Sequence, residues 1–234
     1  MRRRFFPVVC LQLVCFAFAA AAQAGGGNYA ILGGTPSQRA QVHEALEASS
    51  FNWSVVPQLV TITITPRPSS DAVPGQIFLD SALLATGSFS WGVVQHEYAH
   101  QVDFMLFDEA VRQKLQTALG GTDWCYEVPG LAHDQHACER FASTLAWAYW
   151  QSPLNSMKPA EIGLESGALT PAAFRALVAS LLGPGSETTG AASPVAVSPA
   201  HVVPALLAAT SPSPRAYAPA LRTKTRRVAP RRQL

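Results

Sequence analysis

Two histidines bracket a glutamate in the run Gln95-His96-Glu97-Tyr98-Ala99-His100-Gln101-Val102-Asp103. Four residues of helix is about one turn, so His96 and His100 fall on one face and can aim two imidazoles at a single metal ion. Glu97 projects beside them, where a carboxylate can take a proton from a metal-bound water. Residue types and spacing therefore specify hydrolytic metal chemistry, with two ligands and a base. Zn2+ suits such a set, and a catalytic zinc site takes a third protein ligand and leaves a fourth position open.

The third ligand must come from elsewhere in the chain. Glu139 is an acidic residue in an otherwise apolar stretch with Phe141, Ala142, Leu145 and Ala146. A carboxylate buried there needs a partner, and a metal ion is a sufficient one. A second candidate is Asp123, in Gly121-Thr122-Asp123-Trp124-Cys125-Tyr126. Asp103, one turn beyond His100, is placed by spacing to orient an imidazole as a hydrogen-bond acceptor.

The motif His96 to Asp103, followed after a loop by Glu139-Arg140-Phe141-Ala142, resembles the gluzincin zinc metallopeptidases. It is most similar to their small lethal-factor-like and Pro-Pro-endopeptidase-like group. The resemblance covers about a quarter of the chain. It implies a small α+β zincin-like domain: a short mixed sheet, an active-site helix and a mainly helical C-terminal half. It also implies Glu139 as third zinc ligand. The family's oxyanion-stabilising tyrosine stands about two helical turns before that glutamate, where this chain has Ala132. Tyr126, His133 and His136 are the candidates to replace it, and His136, three residues before Glu139, is also close enough in sequence to join the metal shell. The metzincin pattern is not met, since Asp103 and Leu106 stand where it needs Gly and His or Asp. Asp123 has only a faint similarity to the aspzincin ligand.

The elements that must position these groups are legible in outline. Thr35 and Pro36 open a helix running to Ser49. Val60 to Thr65 alternates apolar and polar residues, as a half-buried strand does, and Gln76 to Asp80 reads as a second strand. By resemblance to zincins, the edge around Ile77-Phe78-Leu79 would receive an extended peptide. Ser88 or Ser90 is the expected cap of the motif helix. Asp108 caps the next, which ends at Gly120-Gly121. After a loop from Thr122 to Asp134, a helix is expected over Gln135 to Trp150, and a last one from Thr170-Pro171 to Gly183.

The ends read differently. Arg2-Arg3-Arg4, the apolar run Phe5 to Ala22 and the small-residue site Ala22-Gln23-Ala24 predict a signal peptide over 1–24 and a secreted or extracytoplasmic protein. Cys10 and Cys15 would leave with it. Cys125 and Cys138 remain, and in an oxidising compartment they predict a disulfide, although Cys138 beside Glu139 is also a candidate ligand. Residues 25–183 form the expected domain, and 184–234, rich in Pro, Ala and Ser, the expected disordered tail. Of the 17 basic residues three lie in the first four positions and seven beyond Pro184. The domain thus keeps seven against 14 of the 15 acidic ones, a net of −7. An acidic domain argues against nucleic-acid binding.

These features predict a secreted monomeric zinc endopeptidase acting on a peptide or protein, its basic tail offering at most weak contact with an anionic envelope. The alternative is a non-catalytic, metal-stabilised extracellular binding module.

Overall fold

A computed structural model describes residues 26–159 and 165–187; the expected signal peptide and all of the expected tail beyond Glu187 lie outside the described residues. The chain begins with a strand, β1 (Tyr29–Gly33), and turns through Gly33-Gly34 into helix α1 (Pro36–Ala48). Gly33 has φ +70°, and a Cβ there would lie 2.5 Å from the Ile64 carbonyl oxygen, so only glycine fits this close crossing. Thr35 then caps α1 reciprocally with Gln38, with Pro36 in the first turn.

Strands β2 (Val60–Thr65), β3 (Asp71–Val73) and β4 (Gln76–Asp80) complete a four-stranded mixed sheet of order β1-β2-β4-β3. β1 and β4 run parallel to β2, and β3 hairpins back antiparallel on β4. In register, Ile62 pairs with Ile77 and Ile64 with Leu79, so alternate residues form one buried apolar face. This arrangement corrects one expectation. β4 lies inside the sheet, hydrogen-bonded on both sides, so the edge around Phe78 is not free; Asp71–Val73 forms the edge.

A short helix, α2 (Ser81–Leu84), capped by Asp80, leads to a 3-10 turn over Gly87–Ser90 and directly into α3 (Trp91–Leu106), which carries the motif. Neither expected serine caps α3 with its side chain. Ser90 already has helical backbone angles and donates its hydroxyl to the Gly87 carbonyl, because the 3-10 turn feeds α3 without a break. Helix α4 (Glu109–Leu119) is capped by Asp108 and stopped at Gly120. A long loop ends in the 3-10 turn His133–Gln135 and in α5 (Ala137–Ala148), two residues shorter at each end than expected. Helix α6 (Pro171–Leu182), capped by Thr170, packs Phe174 against Phe141 of α5. The chain then stays packed past Gly183: Ser186 is buried and Glu187 bridges Phe51, so the fold runs beyond the expected boundary at 183. The architecture is α+β, mainly helical after the sheet.

The rotation of α3 is fixed from several sides. Tyr98 is fully buried and stacks edge-on with Trp53 at 5.1 Å between ring centres. Gln95 donates to the Ala45 carbonyl of α1. Gln101 accepts from the Gly75 N–H at 2.8 Å and donates to the carbonyls of Val73 and Gln76, so one side chain clasps the β3–β4 hairpin. Replacing Gln101 by Leu leaves those buried or half-buried backbone groups unpaired. Such a loss costs about 1–3 kcal/mol, to be read as a lowered midpoint in urea unfolding at unchanged slope.

Candidate metal centre

With Tyr98 turned into the core, His96 and His100 share the opposite side of α3, and this helix packs on α5. Helix α5 presents Glu139 and Ser143, again four residues apart and hence on one face. His96 Nε2 lies 3.1 Å from Glu139 Oε2, His100 Nε2 3.3 Å from the same oxygen, and the two Nε2 atoms 3.2 Å from each other. All three residues are buried. Burial alone would raise the Glu139 pKa, but the hydrogen bonds and charge of His100 and His96 outweigh it and hold the carboxyl well below the usual range. His100 is raised, since the hydrogen bond and charge of Glu139 exceed the opposing cost of burial.

Glu97 is also buried, and lies outside this three-residue set. Its carboxyl is pushed up chiefly by burial, against the attraction of His96 and His100 and with the repulsion of Glu139 and Asp71. Asp71 belongs to the edge strand β3, so Glu97 sits on the side of α3 nearest that edge.

The loop before α5 brings two of the three expected oxyanion candidates to the centre and removes the third. His133 Nε2 lies 3.2 Å from Glu139 Oε2 and its Nδ1 3.2 Å from Glu165 Oε1. Its side chain is 49% exposed, open to anything bound over the three clustered residues. Burial opposes its charge, but the hydrogen bond to Glu165 and the nearby Glu139 carboxylate raise it to about 9. Burial, and after it the nearby Glu139 carboxylate, push the Tyr126 hydroxyl further above the usual phenol range. Tyr126 takes a left-handed backbone, φ 60°, which swings its ring over His136 at 4.0 Å between ring centres.

His136 is committed elsewhere: its Nδ1 lies 2.6 Å from Asp123 Oδ1, both residues buried, and the two segments are joined by a β-bridge. This corrects two expectations at once. Asp123 is held by His136 and by the Val128 N–H, apart from the motif histidines, and its pKa falls because those bonds exceed the cost of burial. Neither residue belongs to a donor cluster with His96 and His100 among the described residues. Asp103 likewise takes other partners: its oxygens accept from Arg112 Nε at 2.8 Å and Trp124 Nε1 at 3.1 Å. Burial still leaves its pKa raised. His100 Nδ1 has no hydrogen-bond partner among the described residues.

Cys125 and Cys138 form a disulfide across 13 residues, so Cys138 is not a free ligand. Closing a loop of that length stabilises the fold by about 3 kcal/mol in the chain-entropy model. The bridge pins the strand of loop carrying Tyr126 to the residue before Glu139. Sequence reasoning passed over Ser143 and Glu165. Ser143 was within reach of the same four-residue rule that pairs the histidines. Glu165 stands alone in a loop and carried no local signal.

Only Glu139, of the two carboxylates weighed as third ligand, shares a point in space with both histidines. After dialysis, Glu139→Ala is expected to lose zinc, and Asp123→Ala to retain the wild-type content by elemental analysis. Known protein families, characterised proteins and solved structures give no match to this chain, so the chemistry rests on the geometry of its own residues.

Proposed function

We propose that the chain is an exported zinc-dependent endopeptidase of the gluzincin kind, with His96, His100 and Glu139 as ligands and Glu97 as general base. One observation carries this reading: three buried donor atoms, two of imidazole and one of carboxylate, converge at 3.1–3.3 Å while a second buried carboxylate, Glu97, stands next to His96 in the chain and outside their set. Tetrahedral ligands 2.0–2.1 Å from zinc are about 3.3–3.4 Å apart, so the spacing fits the ion with little adjustment. Two imidazoles and one carboxylate are also the donor set of an open zinc site.

Zinc held there supplies Lewis acidity, polarising a peptide carbonyl and acidifying a water. Glu97 accepts the proton of the attacking water and returns it to the leaving amine, a role suited to a carboxyl whose burial favours its protonated form. His133 and Tyr126 direct an N–H and an O–H toward Glu139 and hence toward the same small volume, where they can steady the developing oxyanion. An extended substrate strand would lie along β3, the free edge beside Glu97. The Cys125–Cys138 disulfide agrees with export to an oxidising compartment, as the sequence of residues 1–24 predicts.

A non-catalytic metal module was the other expectation. A structural zinc site closes with four protein ligands and has no use for a buried base at its side. The position of Glu97 therefore favours the peptidase.

A zinc-loaded sample is to be tested on a mixed peptide library with mass-spectrometric detection of cleavage. Glu97→Gln should keep its zinc and lose about 10²–10⁴ in kcat/KM. Loss of the principal oxyanion donor should cost about 10²–10³ in kcat, so Tyr126→Phe and His133→Ala, measured side by side, identify it. Zinc-loaded wild type that cleaves no peptide, or a Glu97→Gln variant as active as wild type, would sink the proposal.

A further inference from the structure

Beyond the ligands, the base and the oxyanion donors, one carboxylate is tied to two of these groups at once, to His133 directly and to His96 through Ser143. Glu165, in the 3-10 turn Glu165–Gly167, uses a single oxygen, Oε1, for both contacts. That oxygen lies 3.2 Å from His133 Nδ1 and 3.0 Å from the Ser143 hydroxyl. The Ser143 oxygen in turn lies 3.0 Å from His96 Nδ1. Ser143 is buried, so its partners are all protein groups.

The proton count of this chain has one solution. An ionised carboxylate only accepts, and a serine hydroxyl has one proton to give. The other neighbour of that hydroxyl is the Met157 sulfur at 3.4 Å, a weak acceptor that does not compete with a carboxylate. Ser143 therefore donates to Glu165 and must accept from His96 Nδ1–H. Binding a metal takes the proton from the other nitrogen, Nε2, the atom that faces His100 and Glu139. The same Glu165 oxygen accepts from His133 Nδ1–H and fixes that ring with its Nε2 toward Glu139.

We propose that Glu165 is the positioning residue of the centre, locking the His96 tautomer through Ser143 and orienting the His133 ring directly. This rests on the zinc reading above and extends it to a residue in none of the motifs. Outer partners of ligating histidines typically contribute about 10–100-fold in metal affinity. Because Glu165 serves a ligand and an oxyanion donor together, its removal acts on both His96 and His133, whereas removal of Ser143 acts through His96 alone.

The test compares Ser143→Ala, Glu165→Ala and Glu165→Gln in the full chain. Zinc affinity is read by competition with a chromophoric chelator, and the His96 and His133 Nδ1 protons by NMR of labelled protein, with and without zinc. Ser143→Ala and Glu165→Ala are each expected to weaken zinc binding by about 10–100-fold. Ser143→Ala should lose the protected His96 Nδ1 proton and keep that of His133; Glu165→Ala should lose both. Glu165→Gln retains an amide oxygen for Ser143 and should recover most of the affinity. At saturating zinc, on a peptide that wild type cleaves, Glu165→Ala should lower kcat with little change in KM, and by more than Ser143→Ala does.

Wild-type zinc affinity and wild-type Nδ1 protons in Glu165→Ala and Ser143→Ala overturn the proposal. So does a second zinc equivalent in wild type that Glu165→Ala removes, since Glu165 would then be a ligand. If Glu165→Ala does not fold, Ser143→Ala and Glu165→Gln decide through the same readouts. Affinity and proton signals need no substrate, so a protein that binds zinc and cleaves nothing sinks only the peptidase reading. A protein that cleaves peptides with a dispensable Glu165 sinks only this one.

Discussion

The structure depends on how α3 and α5 bury Glu139 between them. A carboxylate with 5% exposure, on a helix whose neighbours are Phe141, Ala142 and Leu145, would cost several kcal/mol if left unpaired. His96, His100 and His133 supply ring nitrogens 3.1–3.3 Å from one of its oxygens, and the helices can pack tightly only with those nitrogens in place. A shift of α3 by one residue turns its faces by about 100° and would bring core side chains to Glu139 in place of imidazoles. What prevents the shift is spread over the rest of the fold: Tyr98 among the aromatic side chains, Gln95 on α1, Gln101 on the hairpin. Gly92 belongs to the same set. A Cβ there would lie 2.3 Å from Asn155 Oδ1, so the first turn of α3 approaches the segment after α5 as only glycine allows.

The loop before α5 solves a different problem, that of holding polar groups over the His96, His100 and Glu139 cluster without a helix or strand to carry them. Tyr126 sits in the left-handed region, which costs a non-glycine residue about 1–2 kcal/mol. The covalent tie at Cys125 and the stacking on His136 hold it there. His136 is itself fixed by Asp123, whose other oxygen accepts from Val128. The pair Asp123–His136 thus acts one layer out from the centre. Two residues that look like metal ligands in the sequence hold the loop that brings Tyr126 and His133 to the centre.

Much of the frame was legible because it is local. The caps at Thr35, Asp108 and Thr170 and the alternation in Val60 to Thr65 depend on neighbours within four residues, and the structure agrees with them to within a residue or two. The strands β1 and β3 escaped notice for a physical reason. One is five residues ending in glycine and the other only three, and each exists through pairing with a strand distant in the fold or fixed by a turn. The same division runs through the site. His96, Glu97 and His100 are local, and Glu139 stood out as a charge among apolar residues. Asp103 has the right spacing to reach an imidazole, yet spacing does not choose between neighbours, and Arg112 on α4 with Trp124 in the loop claims it. Glu165 lies 22 residues beyond Ser143, and nothing short of the folded chain joins them.

The carboxylates, finally, divide by environment in a way that bears on function. Glu139 and Glu165 are held ionised by histidines, Asp123 by His136 and a backbone N–H, and each of these is drawn below its ordinary pKa despite burial. Glu97 and Asp103 move the other way. For Asp103 the cause is burial beside Arg112 and Trp124, which offset it incompletely. Glu97 is different, since the imidazoles that attract it are the same ones that Glu139 engages at hydrogen-bond distance, and Glu139 repels it. A fold selected for stability alone would gain by replacing such a residue with an apolar one of similar size. Neighbouring carboxyls with opposed pKa shifts are the arrangement in which one serves as a fixed anion and the other as an exchangeable proton carrier. Glu139 fits the first role and Glu97 the second, which is the division of labour that the proposed peptidase requires.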